Sequence, residues 1–143
     1  MLDKNAIIDY APRLALALPL LDSRVAAGFP SPADDHSERK IDLNEHLIRR
    51  PLSTFFLRVE GESMSEAGIL PGDMIAVDKA ALPRVGSVVV AEVNGEFTVK
   101  RLDQTTEGQW CLRAESRHWP KHPFLQGNQF RIWGVVVAVV RRC

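Results

Sequence analysis

The alternation of apolar and polar positions predicts that the chain forms mainly β-strands from residue 54 onward. Residues 54–59 combine threonine, two phenylalanines and valine, which suit a half-buried pleated surface. Runs of the same type occupy residues 74–78, 87–93, 96–102, 109–114 and 129–140. Residues 135–140 are apolar on both faces, so we expect them at the centre of a sheet or in a subunit contact. The pattern therefore predicts a mainly β domain.

Two turns between these runs can be assigned from their residues. Leu70-Pro71-Gly72-Asp73 fits a type II turn, because proline fixes the first central residue and glycine accepts a positive φ. Asn94-Gly95 is the strongest short-range signal for a two-residue hairpin loop. A hairpin with this loop pairs Val89 with Lys100, and directly paired residues share one face of the sheet.

Residues 1–40 are predicted to form an extended arm, and residues 41–143 the β-rich domain. Prolines at positions 12, 19, 30 and 32 exclude a long helix or a central strand. The leucines at positions 14, 16, 18 and 20 suit a short extended segment that lies on another surface. Asp42 can cap one short helix, in which Leu43 and Leu47 share an apolar face before Pro51.

Ser63 and Lys100 are the candidate catalytic residues. Ser63 follows the first strand at the break made by Gly61, where its hydroxyl can be exposed, although most serines at such positions only close turns. Lys100 faces the apolar Val89 and Ala91 in the predicted hairpin, and loss of hydration there lowers a lysine pKa. Lowering it from about 10.4 to about 7 costs about 4.6 kcal/mol, which burial can supply.

Two interpretations of Lys100 follow from this placement. As a neutral amine beside Ser63, it would be the general base in the serine–lysine form of nucleophilic catalysis. Alternatively, Lys100 belongs to a solvated face together with Thr98 and Glu96.

Composition narrows the classes of function. The 143 residues include 18 Lys+Arg and 18 Asp+Glu, so no general basic field attracts nucleic acid and no sequence-specific DNA binding is expected. The two cysteines lack metal-ligand spacing, and we expect neither a metal nor a cofactor.

The apolar runs do not predict a membrane protein. The longest are eight residues, whereas a membrane span needs about 20. Residues 14–21 imitate a secretory signal, but no net positive charge precedes them and Pro19 interrupts the run. We therefore expect a cytoplasmic protein.

Several short motifs occur in a characteristic order. Gly61-Glu62-Ser63-Met64 is followed by Gly72-Asp73 and then by residues 95–101, which end in Val99-Lys100-Arg101. Arg24-Val25-Ala26-Ala27-Gly28 lies upstream. Together they resemble the self-cleaving LexA/UmuD family of Ser-Lys peptidases, and its UmuD-type members most closely. The resemblance covers residues from about 18 to 140, nearly the whole chain.

The resemblance implies a site and a biological role. Ser63 would be the nucleophile, Lys100 the general base and the Ala27–Gly28 bond the target, with backbone N–H groups of Ser63 and Met64 stabilising the oxyanion. A RecA filament on single-stranded DNA would stimulate self-cleavage during the SOS response. The shortened form, a homodimer, would join a UmuC-type polymerase in mutagenic translesion DNA synthesis.

Three alternatives to this interpretation exist. A LexA-type or phage-type repressor is disfavoured, because only 27 residues precede Gly28, too few for a helix-turn-helix domain with a linker. Signal peptidases share the serine–lysine chemistry but normally carry a membrane anchor. A non-catalytic binding module of the same fold stays open, and the Ser63–Lys100 pair discriminates between it and a peptidase.

Overall fold

A computed structural model describes residues 15–30, 38–118, 125–126 and 129–143, which belong to two units. The first unit ends at Leu47 and contains an antiparallel ribbon of β1 (Ala17–Leu21) and β2 (Glu38–Asp42), followed by helix α1 (Leu43–Leu47). The extended segment predicted around residues 14–20 therefore pairs with a strand of its own unit. Of the predicted arm, residues 1–14 and 31–37 lie outside the described residues.

Asp42 connects the ribbon to the helix. Its Oδ1 accepts the Asn44 N–H at 2.9 Å, which confirms the predicted helix cap, and its Oδ2 accepts the Leu16 N–H at 3.0 Å. Helix α1 is only five residues long and buries none of them completely. Within the described ranges, no helix has the length and hydrophobicity that crossing a membrane requires.

The second unit begins at Ile48 and is built on one antiparallel sheet. In the described residues this sheet has seven strands in the order β3-β4-β9-β5-β6-β7-β8, which confirms the mainly β prediction. Their bounds are β3 Thr54–Arg58, β4 Met74–Asp78, β5 Val88–Val93, β6 Glu96–Gln104, β7 Trp110–Arg113, β8 Leu125–Gln126 and β9 Arg131–Val140. Two short 3-10 turns, Pro51–Ser53 and Ser65–Ala67, precede and follow β3.

Strand β9 is central, because it pairs with β4 on one side and β5 on the other. This position confirms the prediction that residues 135–140 lie at the centre of a sheet. Gly134 is buried in β9, and a Cβ built there would lie 2.6 Å from Val77 Cγ1. Glycine therefore allows β9 to approach β4 closely. Val137 and Val139 of β9 remain 42% and 40% exposed.

The two predicted turns are present. Asn94 and Gly95 have φ values of 52° and 80°, the left-handed conformations that a tight hairpin loop requires. Val89 is paired with Lys100, as predicted. Gly72 has a φ of 89°, and the Asp73 N–H donates to Leu70 O at 3.1 Å, which closes the type II turn.

The core of this unit consists of two apolar clusters. Successive residues of β5 alternate between them, so the clusters lie on opposite faces of the sheet. The first cluster contains Val59, Met64, Ile69, Ile75, Val77 and Val90, and the second contains Val89, Ala91, Leu102 and Leu112. Met64 and Ile69 belong to the chain segment immediately after Ser63, so burial of their side chains fixes that segment against the sheet.

Asp73 is a buried carboxylate that ties the C-terminal residues to the turn before β4. Arg141 donates to both of its oxygens at 2.6 Å, and the Leu70 N–H donates at 2.8 Å. The hydrogen bond from Arg141 is the main cause that lowers the pKa of Asp73 to about 2. Arg141 also donates to Gly68 O at 2.8 Å.

Asp78 is a second buried carboxylate, at the end of β4. The Ser53 hydroxyl donates to it at 2.7 Å, the Arg50 guanidinium at 2.7 Å and the Ala80 N–H at 2.9 Å. The Ser53 hydrogen bond is the main cause that lowers the pKa of Asp78 to about 2.

Acid should destabilise this unit between about pH 4 and about pH 2. Both carboxyls have a lower pKa in the folded state, so their stabilising effect is present above the unfolded value and is lost as pH falls through about 2. Thermal unfolding between pH 7 and pH 2 measures this loss. Asp73→Asn and Asp78→Asn should be less stable than the parent at pH 7 and should decline less steeply in acid. An equally steep decline in the double variant would contradict the assignment.

Candidate active site

Ser63 lies in an irregular segment between β3 and the 3-10 turn Ser65–Ala67. Gly61 has a φ of 81°, which bends the chain away from the strand direction. Met64 is 3% exposed, and its carbonyl accepts the N–H groups of Ala67 and Ile69 at 3.0 and 3.2 Å. These backbone hydrogen bonds form a tight turn, and the buried Met64 side chain anchors the turn in the core. Ser63, the residue before Met64, is half-buried.

Lys100 lies in β6 and is only 4% exposed. Its Nζ is 2.8 Å from Ser63 Oγ, 2.9 Å from Thr98 Oγ1 and 3.2 Å from the carbonyl oxygen of Val99. Desolvation lowers the pKa of the lysine. The interpretation of Lys100 as part of a solvated face is therefore wrong. Lys100 and Thr98 do share one face of β6, as predicted, but that face is buried at Lys100.

The three oxygen atoms around Nζ can accept from a charged ammonium, and they also allow a neutral amine to act as a base. Such an amine has two N–H donors and one lone pair, whereas an ammonium has three donors and no lone pair. Thr98 Oγ1 and the Val99 carbonyl can accept from the amine, and the lone pair can then receive the Ser63 hydroxyl proton. This arrangement can generate a serine alkoxide, provided that the lysine has lost its proton.

The backbone N–H groups of Ser63 and Met64 were predicted to stabilise an oxyanion. Neither donates a hydrogen bond to another group in the described part of the chain. The Ser63 carbonyl, by contrast, accepts the Glu115 N–H at 2.7 Å. The role of these two N–H groups in oxyanion binding stays a prediction.

A cleft of about 240 Å³ opens beside Ser63. Its lining is mixed: Leu57, Val99 and the half-exposed Phe97 are apolar, whereas Arg58, Glu60 and Thr98 are polar or charged. The cleft has room for part of a peptide next to the serine hydroxyl.

Ala27 and Gly28, the predicted cleavage site, lie in the first unit. Both are exposed, in a bend between β1 and β2, and nothing lies within 4 Å of a Cβ built on Gly28. The neighbouring Val25 and Phe29 are 95% and 94% exposed. The peptide bond is therefore accessible in this structure.

Sequence analysis did not predict two contacts of the site. Thr98 contacts the amine of Lys100, and a signal for this existed, since residues two apart in a strand share a face. Glu115 contacts the Ser63 carbonyl through its backbone N–H. Any non-proline residue can make such a bond, so no side-chain pattern could have indicated it.

A β-rich unit with a cleft beside a serine hydroxyl that is hydrogen-bonded to a buried lysine has the features of a serine peptidase. The sequence profile of the Peptidase S24-like family matches residues 19–137, and the chain belongs to this family.

The relatives of the chain specify its type within the family. Protein ImpA of Escherichia coli is 56% identical over 124 residues, which cover 87% of this chain and 83% of the relative. Protein SamA of Salmonella typhimurium is 45% identical over 87% of this chain and 85% of its own. The LexA repressor of Vibrio vulnificus is 41% identical over 87% of this chain, but over only 59% of the repressor. These matches confirm a UmuD-type member of the LexA/UmuD family.

Proposed function

We propose that this chain is a mutagenesis protein of the SOS response that cleaves itself between Ala27 and Gly28. Ser63 is the nucleophile and Lys100 the general base. The observation that carries the proposal is the 2.8 Å hydrogen bond between the buried Lys100 amine and the Ser63 hydroxyl. Burial of an ionisable group is unfavourable, and here it places the amine beside a half-buried serine hydroxyl at the edge of a cleft, which supports a catalytic role over that of a non-catalytic module.

The reaction proceeds in two stages. Neutral Lys100 takes the Ser63 proton as Oγ attacks the Ala27 carbonyl carbon, and the oxyanion forms near the N–H groups of Ser63 and Met64. The resulting ammonium gives its proton to the Gly28 nitrogen as the peptide bond breaks, which leaves residues 1–27 esterified to Ser63. Water then hydrolyses the ester with Lys100 again as the base, which restores the serine hydroxyl.

Regulation follows from the connection of substrate and site in one chain. A tethered substrate has a high effective concentration, so the resting rate is set by how often the scissile segment adopts the reactive geometry. A RecA filament on single-stranded DNA that favours this geometry raises the rate by raising its population, without supplying catalytic groups.

The product of the reaction is the active partner in DNA synthesis. The shortened chain forms a homodimer in the cytoplasm and joins a UmuC-type polymerase for translesion synthesis. The exposed Val137 and Val139 on the central strand support a subunit contact, because apolar strand surface of this kind favours association. Direct sequence-specific DNA binding is not part of the proposal, since the net charge is zero.

Gly28→Glu should reduce self-cleavage at least about 100-fold, whereas Gly28→Ala should retain most of it. Glutamate places a long, charged side chain next to the reacting carbonyl, and misplacement by about 1 Å can cost about 100-fold in rate. The fold should be spared, because a Cβ at Gly28 meets nothing within 4 Å. Intact mass spectrometry over time measures the cleavage. Cleavage of Gly28→Glu at the parent rate would contradict the assigned bond.

The same variant tests the biological role. In cells, Gly28→Glu should abolish mutagenesis after DNA damage, and a shortened chain that begins at Gly28 should restore it without any cleavage. If the shortened chain does not support mutagenesis but the full chain does, the first 27 residues are required for activity and the processing proposal is wrong.

A further inference from the structure

The segment that carries Ser63 is hydrogen-bonded to the backbone of Glu115, which lies just beyond the end of β7. The Glu115 N–H donates to Ser63 O at 2.7 Å, and the Glu115 carbonyl accepts the Glu66 N–H at 2.9 Å. Ser63 lies two residues before the 3-10 turn Ser65–Ala67, and Glu66 is the middle residue of that turn. The backbone of one residue, Glu115, therefore holds both Ser63 and Glu66 in place.

Glu115 does not belong to a strand, since β7 ends two residues earlier at Arg113. Its carboxylate forms paired hydrogen bonds with the guanidinium of Arg101, at 2.6 Å from Nε to Oε1 and 3.1 Å from Nη2 to Oε2. The two side chains are only about one-third exposed, at 30% and 33%. Paired bonds of this kind fix direction as well as distance.

Arg101 is the residue that follows Lys100 in β6. Its Nη1 also donates to Gly86 O at 2.8 Å, and the Gly86 N–H donates to Leu102 O at 2.8 Å. The guanidinium is therefore held between the loop before β5 and Glu115. Any shift of the strand that moves Lys100 also moves the group that holds Glu115.

We infer that Arg101 and Glu115 are positioning residues that keep Ser63 within hydrogen-bonding distance of Lys100. The inference rests on the proposed self-cleavage, because it concerns the alignment of its nucleophile and base. A continuous series of contacts runs from the strand of Lys100 through Arg101 and Glu115 to the Ser63 carbonyl. If this series is broken, the 2.8 Å contact between amine and hydroxyl loosens.

Arg101→Met and Glu115→Gln test the inference together. At high pH, where Lys100 is neutral, the cleavage rate should reach a plateau that no longer depends on pH. Each variant should lower this plateau by about 10- to 100-fold, since misplacement by about 1 Å costs on the order of 100-fold. The double variant should lose no more than either single variant, because both act through one pair. If the two residues acted only through their charges, the result would differ. Loss of the Arg101 cation would raise the pKa of Lys100, and loss of the Glu115 anion would lower it. The midpoints of the two pH profiles would then move in opposite directions.

Asp103→Asn is the matched control. Asp103 pairs with Arg113 at 2.5 Å between β6 and β7, and their exposures of 34% and 29% match those of the tested pair. The described contacts of Asp103 do not include the Ser63 segment. This variant should cleave within about twofold of the parent rate.

Amide hydrogen exchange in the Ser63→Ala background gives a readout that does not depend on cleavage. Without Arg101 or the Glu115 carboxylate, the N–H groups of Glu115 and Glu66 should exchange at least about tenfold faster, and Asp103→Asn should leave them unchanged. An unchanged plateau in both single variants, or a lower plateau with unchanged exchange, would overturn the inference. If the parent itself never cleaves at Gly28, the proposed function fails, while the exchange result still decides whether the pair secures the segment.

Discussion

Ser63→Ala is expected to abolish self-cleavage and to leave the β unit folded. The substitution removes the proposed attacking oxygen, and loss of the serine nucleophile costs on the order of 10⁶ in rate in a Ser-His-Asp protease. Ser63 is half-buried and contributes no apolar side chain to the core, so the change in unfolding free energy should be about 1 kcal/mol, from the lost hydrogen bond to Lys100. Intact mass spectrometry over several days measures the cleavage.

Ser65→Ala is the control for this variant. Ser65 lies two residues along the same segment, is also half-buried, and its hydroxyl forms no hydrogen bond to the described residues. It should cleave at the parent rate. Persistent cleavage in pure Ser63→Ala protein would eliminate the proposed nucleophile.

The cleavage rate without any partner should rise with pH and then level off. Desolvation lowers the pKa of Lys100, but below that pKa only the neutral fraction can act as a base. This fraction grows about tenfold per pH unit below the pKa, so log rate should increase with a slope of about one until the midpoint. Lys100→Ala should lose cleavage at every pH. Lys100→Met should do the same while it retains the packing of the lysine stem.

A flat rate for the parent between about pH 7 and pH 10 would have two explanations, a lysine that is already neutral or a conformational step that limits the rate. The Lys100 variants separate them. If Lys100→Met keeps the parent rate, the lysine is not the base. A residual slope in this variant would identify another titrating group.

The hairpin shows how far local signals predicted the site. Asn94-Gly95 requires left-handed conformations, and the structure has them. Since a two-residue loop determines the register, the pairing of Val89 with Lys100 followed from the sequence alone and is confirmed. The same reasoning could not decide whether Lys100 was buried or solvated, because burial depends on which segment covers that part of the sheet.

The order of the strands in the sheet could not be predicted from local sequence signals. The apolar run in residues 135–140 predicted a central strand, but not that β9 would enter between β4 and β5. That order depends on how distant strands pair, and Gly134 contributes through its close contact with Val77. A lone glycine in a strand pattern indicates close approach without identifying the neighbour.

The approach of Ser63 to Lys100 depends on contacts that no spacing rule contains. Glu115 is 52 residues away from Ser63 in the chain and binds it through the backbone. Its own position is fixed by a side-chain pair with Arg101. The order of the motifs therefore identifies the candidate residues, whereas the packing of distant segments determines their geometry.

The most direct test of the central claim is the new N-terminus formed by the purified full chain at about pH 10 with no partner present. N-terminal sequencing should find Gly28 in the parent protein and no new terminus in Lys100→Ala under the same conditions. A terminus at any other residue, or the Gly28 terminus in Lys100→Ala, would contradict the account.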